Sequence, residues 1–166
     1  EELRTKVTVI GPGTVSTLEA WGNEDTPALT LTATPDDGYM FYVWTGDVLP
    51  ASKTTSEITV DYTQARNIVC YFAKAGSVQG KNAWTGMAGD FRLDNPTNWF
   101  NECLPTEIDA VTLSNTVAST YTTATPFSMA SLLLVGDGDA TFNLNGNTIQ
   151  LDNFTQELPA LFTLTN

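Results

Sequence analysis

The chain has 166 residues, with 19 Asp and Glu against 7 Lys and Arg, no His, and a formal net charge of −12. This charge argues against a protein that follows nucleic-acid phosphates and against one that binds an anionic membrane surface. The absence of His removes the commonest general base and the commonest zinc ligand.

The polar residues are mostly of types that favour strands and turns. Charged residues make up only 16% of the chain, while there are 27 Thr and 12 Asn. Thr is β-branched and favours strands, and Asn and Gly favour turns, so we expect an all-β protein. This composition is also typical of secreted bacterial surface proteins. No apolar run approaches the roughly 18 to 20 residues of a membrane helix, so we expect no membrane insertion by this segment.

The first half of the chain alternates apolar and polar residues with a period of two, which predicts short strands. Tyr39 to Trp44 is apolar on both faces and predicts a covered central strand. Turn signals separate the strands, such as Pro35-Asp36-Asp37-Gly38. The other predicted strands contain Lys6 to Ile10, Leu29 to Thr34, Ile58 to Tyr62 and Ile68 to Phe72.

A change of composition divides the chain near residue 80. The segment Ala75 to Gly80 is typical of a linker, and no Lys or Arg follows Arg92. We therefore predict a first module over 1–75, a linker over 76–83 and a second module over 84–166. The second module is predicted to contain strands over Ala110–Ser114, Ser131–Val135, Ala140–Leu144, Thr148–Leu151 and Leu161–Thr165.

The first module resembles a known family. The residues that carry the likeness, between positions 5 and 74, are Val7-x-Val9, Gly11-x-Gly13-x-Val15, Leu29-Thr30-Leu31-Thr32-Ala33-Thr34-Pro35, Asp37-Gly38-Tyr39-x-Phe41-x-x-Trp44-x-Gly46 and Ile58-x-Val60. This pattern is similar to the divergent internalin-B-type repeat of bacterial surface proteins. The resemblance implies a small β-grasp-like spacer module without catalytic residues, in which Trp44 anchors the core.

The second module has a weaker resemblance, to the opening of β-helical passenger regions in adhesins and autotransporter-like proteins. The similar residues are Trp84-x-Gly86, Gly89-Asp90-Phe91, Asn98-Trp99, Pro105 and Asp109-x-Val111, with Phe91 where the pattern usually has Trp. This implies a cap followed by the first coils of a parallel β-solenoid, with strands paired 20 to 30 residues apart. Because two coils bury little core, we expect the segment to continue into a longer chain. An antiparallel β-sandwich is the alternative for this half.

Candidate chemical sites are few. The pairs Asp36/Asp37 and Asp137/Asp139 lie in turns that call for Asp, so we expect neither a catalytic residue nor a metal site, and no cofactor. Cys70 and Cys103 are interpreted as buried thiols, with a disulfide and a reactive nucleophile as alternatives.

Exposed aromatic rings could bind sugars by stacking. Trp84 and Trp99 lie in the cap pattern and are expected to pack, whereas Trp21, beside the loop Gly22 to Asp25, is the one candidate glycan contact. The hypothesis is a non-catalytic spacer or stalk of an extracellular or cell-surface bacterial adhesin-like protein. Its partner is an unknown surface ligand, either a glycan or a second copy of the chain. The alternative is a glycan-binding accessory module of a secreted carbohydrate-active enzyme.

Overall fold

The chain folds into two β units, described by a computed structural model over residues 1–157 and 160–166. The N-terminal unit spans Glu1–Gly76 and the C-terminal unit spans Ser77–Asn166. The all-β prediction is confirmed, since the only helical segments among the described residues are two 3-10 turns, Pro50–Ser52 and Pro96–Asn98. No helix in the described ranges is long and apolar enough to cross a membrane.

The N-terminal unit contains seven strands in two sheets. They are β1 (Leu3–Ile10), β2 (Gly13–Val15), β3 (Glu19–Gly22), β4 (Leu29–Pro35), β5 (Tyr39–Gly46), β6 (Glu57–Val60) and β7 (Arg66–Lys74). The larger sheet has the order β3-β1-β7-β5, with β1 and β7 parallel at its centre and antiparallel strands outside them. This is the mixed-sheet order of a β-grasp. The smaller sheet, β2-β4-β6, is antiparallel.

The core of this unit is formed by apolar side chains from both sheets. Trp44 is fully buried in it, and its indole nitrogen donates a hydrogen bond to the Thr55 carbonyl at 2.8 Å. Phe41 also packs in this core, although residues three apart in a regular strand face opposite sides. The pairing of β5 with β7 shifts between Phe41 and Val43, so a β-bulge turns both rings inward.

The prediction that Tyr39 to Trp44 forms a central strand was wrong. Strand β5 lies at the edge of the four-stranded sheet. Its residues Tyr42 and Val43 are nevertheless fully buried. The chain after β5 folds back against the edge, where the Trp44 amide donates to the Lys53 carbonyl at 2.8 Å. A covered edge strand therefore has the same apolar pattern as a central one.

The C-terminal unit is a short parallel solenoid. Its strands are β8 (Lys81–Ala83), β9 (Ala110–Ser114), β10 (Ser119–Thr122), β11 (Phe127–Val135), β12 (Ala140–Asn143), β13 (Ile149–Gln156) and β14 (Phe162–Thr165). They form two sheets, β8-β9-β11-β13 and β10-β12-β14, in which every pair is parallel. The solenoid prediction is confirmed, and the antiparallel sandwich is excluded.

Successive coils stack at a nearly constant sequence spacing. Ala110 pairs with Ser131, 21 residues later, and Phe127 pairs with Ile149, 22 residues later. The Asn145-Gly146 pair has positive φ angles of 48° and 80° and forms a corner between two sides of a coil rather than a hairpin. The segment 76–83, predicted as a linker, includes strand β8, because Lys81–Ala83 pairs with the start of β9.

Candidate functional site

The predicted glycan contact, Trp21, lies on strand β3 at an edge of the four-stranded sheet. Its side chain is 55% exposed. Arg4 is its cross-strand partner, and the Arg4 guanidinium carbon lies 5.9 Å from the centre of a Trp21 ring. The same guanidinium group pairs with Glu19 at 3.0 Å. Trp21 is thus an exposed ring beside a cation, an arrangement that could stack on a sugar.

The other two tryptophans outside the N-terminal core pack in the cap of the solenoid. Trp99 is 1% exposed, and its indole nitrogen donates to the Leu93 carbonyl at 2.8 Å. Trp84 is partly buried and meets Trp99 edge to face, with ring centres 5.2 Å apart. The ring of Trp84 also contacts that of Tyr121, which continues the stack into the first full coil. These two side chains therefore pack within the cap.

A polar network in the cap centres on Asn98, whose side chain is fully buried. Its amide nitrogen donates to Asp90 at 2.6 Å and to the Arg92 carbonyl at 3.0 Å, and its amide oxygen accepts from the Ala88 nitrogen at 2.9 Å. Asp90 also accepts from Asn95 at 2.7 Å. Hydrogen bonds from the Arg92 backbone and from the two asparagines lower the pKa of Asp90. The ionised carboxylate and its hydrogen bonds hold the cap loop together.

A second carboxylate supports the same loop. Asp94 accepts two hydrogen bonds from the Arg92 guanidinium, at 3.1 and 3.0 Å, and one from the Ala124 amide at 2.9 Å. The Arg92 hydrogen bond is the main cause that lowers the pKa of Asp94. Asp90 and Asn98 belong to the motifs quoted above, but only the three-dimensional structure reveals that they contact each other.

The acidic pairs considered as catalytic or metal sites lie in turns. The backbone of Asp36 accepts from the Tyr39 amide to close the turn before β5. Asp139 accepts from the Leu161 amide at 2.8 Å and so joins two coils of the solenoid. Gly138, between Asp137 and Asp139, packs so closely that an added Cβ would lie 2.4 Å from the Val117 nitrogen. Within residues 1–157 and 160–166, no three His, Cys, Asp or Glu side chains are grouped so as to hold a metal ion.

Both cysteines are free and buried, so the disulfide alternative was wrong. Burial raises the pKa of Cys70 to about 12. Burial, together with the charge of Asp109, raises the pKa of Cys103 to about 12. At neutral pH both groups are therefore neutral thiols, which are poor nucleophiles.

The last coil of the solenoid carries a further feature, an apolar cavity of about 440 Å³. It opens between β13 and β14, the outermost strands of the two parallel sheets among the described residues. Its lining includes Phe142, Leu151, Phe154, Phe162 and Leu164. Phe142, Leu151, Phe162 and Leu164 lie in strands that the sequence predicts for this half, but the sequence gave no sign that the interior would be open here.

Comparison with known proteins gives one match. No curated protein and no solved structure matches the chain significantly. The matching family model is described as "Divergent InlB B-repeat domain" and covers residues 3–76, which coincide with the N-terminal unit. The match confirms the resemblance found for this half of the sequence. The N-terminal unit is therefore similar to the divergent InlB B-repeat domain, a type of module that is typical of bacterial surface proteins.

Proposed function

We propose that the chain is a non-catalytic spacer or stalk segment of a bacterial cell-surface or secreted adhesin-like protein, and that it works outside the cell. The observation that carries this proposal is the pairing of an InlB B-repeat domain with the capped start of a parallel solenoid. Solenoids lengthen by adding equivalent coils, each of which contacts only its neighbours. Such a fold extends a surface protein without needing a binding pocket.

The polar groups of the chain support a structural role rather than catalysis. Asp90, Asp94 and Asp139 are each engaged by backbone amides or side chains that hold loops in place. A general acid or base needs a proton-exchanging group that faces a substrate cavity. The cavity in the last coil is lined mainly by apolar residues, which suits packing better than acid–base chemistry.

The spacer function is tested by replacement within the full-length surface protein. We expect deletion of residues 1–166 to lower adhesion of the bacteria, because the binding region moves closer to the cell surface. Replacing the segment by an unrelated β-repeat spacer of similar length should restore adhesion. Surface display is measured in parallel with a terminal epitope tag. A replacement that is displayed normally but leaves adhesion lost would contradict the proposal, since the segment itself would then carry the binding site.

A glycan-binding accessory module is the second candidate function, and the exposure of Trp21 beside Arg4 favours it. A glycan array compares the parent chain with Trp21→Ala and with Leu18→Ala, a control at a side chain that is 56% exposed. A spacer shows no saturable binding with any of the three. A glycan module shows binding that Trp21→Ala abolishes and Leu18→Ala retains.

A further inference from the structure

The solenoid corner between β12 and β13 contains a chemically reactive pair of residues. The chain has 12 Asn, and Asn145 is the one that is followed by Gly. An asparagine before glycine loses its side-chain amide readily, because glycine has no side chain to keep its own nitrogen away from the neighbouring carbonyl carbon. Asn145 and Gly146 are both exposed to solvent. Outside the adjoining residues, no heavy atom lies within 4 Å of the position that a Cβ on Gly146 would take.

The side chain of Asn145 also joins two coils of the solenoid. Its amide nitrogen donates a hydrogen bond to the carbonyl of Thr123, 22 residues earlier in the chain, at 3.0 Å. Thr123 directly follows β10, which is the strand that pairs with β12 from the preceding coil. An ionised carboxylate in place of the amide has no hydrogen to donate. Loss of the amide therefore removes a hydrogen bond between coils and places a negative charge beside a carbonyl oxygen.

The backbone nitrogen of Gly146 is held by a second hydrogen bond. It donates to the side-chain oxygen of Asn166, 20 residues later, at 2.9 Å. A backbone amide that is held in this way gives up its proton to solvent only when the structure opens locally. Both groups that would react, the Asn145 side chain and the Gly146 nitrogen, are thus restrained by residues of neighbouring coils.

We infer that Asn145 is a site of spontaneous modification, at which the side-chain amide is lost through a succinimide, and that the hydrogen bond between Gly146 and Asn166 slows this reaction. The reaction needs water and no enzyme. The inference goes beyond the spacer function and does not depend on it.

The reaction has two steps. The Gly146 nitrogen gives its proton to a base in solution and attacks the side-chain carbonyl carbon of Asn145. A bond forms between these two atoms, the bond from that carbon to the side-chain nitrogen breaks, and the nitrogen takes up a proton and leaves as ammonia. Water then opens the five-membered ring. Opening at one carbonyl gives aspartate, and opening at the other gives isoaspartate, in which the main chain runs through the former side chain.

Both products disturb the corner. Aspartate loses the hydrogen bond to Thr123. Isoaspartate also adds a carbon atom to the main chain at a turn that depends on the positive φ angles of Asn145 and Gly146, 48° and 80°. We therefore expect the amides of β12 and β13 to exchange faster in the modified chain than in the fresh chain.

The experiment incubates the chain at neutral and at mildly alkaline pH and follows every asparagine by peptide mapping and mass spectrometry. Asn147 is the matched internal control, since it lies at the same corner, donates to the Leu144 carbonyl at 3.0 Å and is followed by Thr148. Asn145 should lose its amide about tenfold faster than Asn147, which corresponds to a barrier lower by about 1.4 kcal/mol. The rate at Asn145 should rise with pH, and isoaspartate should appear in its peptide. Equal rates at Asn145 and Asn147 would overturn the inference.

Two substitutions test the restraint on Gly146. Asn166→Ala removes the oxygen that accepts from the Gly146 amide and should speed the loss at Asn145 by about two- to tenfold, the factor expected for one hydrogen bond. Thr163→Ala, in strand β14, is the control and should leave this rate unchanged. Equal rates in Asn166→Ala and the parent would overturn the role given to this hydrogen bond.

Asn145→Gln tests the consequence of the modification. Its side chain retains an amide but forms a cyclic imide far more slowly, because the ring has six members. The exchange of β12 and β13 should therefore stay constant in this variant during incubation, while it rises in the parent. An equal rise in both chains would show that the change in exchange does not come from Asn145.

Discussion

The amide nitrogen of Asn98 lies 2.6 Å from a carboxylate oxygen of Asp90, and this hydrogen bond ties together the two sides of the loop that caps the solenoid. Asn98 also satisfies the Ala88 amide and the Arg92 carbonyl, so one buried side chain replaces the pairing that a strand would provide. We expect the cap to depend on this residue, because its hydrogen bonds join parts of the loop that no strand pairing connects.

Asn98→Ala should destabilise the C-terminal unit by about 1–3 kcal/mol, because it removes three hydrogen bonds and opens a small cavity. Unfolding in urea, monitored by the hydrogen exchange of proteolytic peptides that cover residues 77–166, measures this change separately from the N-terminal unit. Asn153→Ala, at an exposed position, is the matched control and should change stability by less than about 0.5 kcal/mol. A loss for Asn98→Ala no larger than that of the control would show that the network does not hold the cap.

Removing one ring of the aromatic stack should lower the free energy of unfolding by a smaller amount toward the open end of the solenoid. Phe142 is 2% exposed and lies between Tyr121 and Phe162, with ring centres at 5.3 and 5.2 Å. Phe142→Ala should therefore cost about 3–5 kcal/mol. Phe162 is only partly buried, so Phe162→Ala should cost less, about 1–3 kcal/mol. The same unfolding experiment in urea, monitored by hydrogen exchange, measures both variants. Equal losses of unfolding free energy would contradict an open last coil.

Acid should weaken the hydrogen bonds that Asp61 accepts in the N-terminal unit. Asp61 accepts from the Thr63 hydroxyl and from the Arg66 guanidinium, each at 2.6 Å. These bonds lower the pKa of Asp61 from 3.8 to about 2. Because the folded-state pKa lies below the ordinary value, the stabilisation is complete above about pH 4 and is lost as the pH falls toward 2.

The substitution Asp61→Asn tests the contribution of these hydrogen bonds to stability. The variant should be less stable than the parent above pH 4, and the difference should shrink as the pH falls toward 2. Urea unfolding of the N-terminal unit at a series of pH values gives this comparison. Asp37→Asn, in an exposed turn, changes the net charge equally and should show no such convergence. A difference between Asp61→Asn and the parent that does not vary with pH would refute the assignment.

The two thiols should be unreactive in the folded protein. Cys70 and Cys103 are buried, and the pKa of each is raised to about 12, so the thiolate fraction at pH 7 is minute. An aromatic disulfide reagent should detect almost no thiol in native protein and two per chain in strong denaturant. Rapid reaction of either cysteine under native conditions would show that its burial is incomplete.

The sequence predicts those parts of the fold that depend on local patterns. Alternating residues and the spacing of turn signals indicate the strands, and apolar residues such as Val111 and Leu132, or Tyr121 and Phe142, lie one coil length apart. Features that depend on distant contacts were not predictable. Tyr39 to Trp44 has the pattern of a central strand because the chain around Lys53 covers its edge.

The same limit applies to the candidate sites. Trp21 was expected in a loop, but it lies on strand β3 opposite Arg4, which only the strand pairing reveals. The contact between Asp90 and Asn98 joins residues eight positions apart across an irregular loop, for which no periodic signal exists. The exposure of Phe154 and Leu164 could not be deduced from their residue types, since the apolar residues one coil earlier, Leu132 and Phe142, are buried.

The outer edge of β8 is closed by hydrogen bonds from the cap, to the Ala83 carbonyl from the Phe100 amide and to the Lys81 carbonyl from the Asn101 side chain. In a solenoid each coil contacts only its neighbours. The stabilisation that the cap supplies therefore reaches the later coils only through the coils that lie between them.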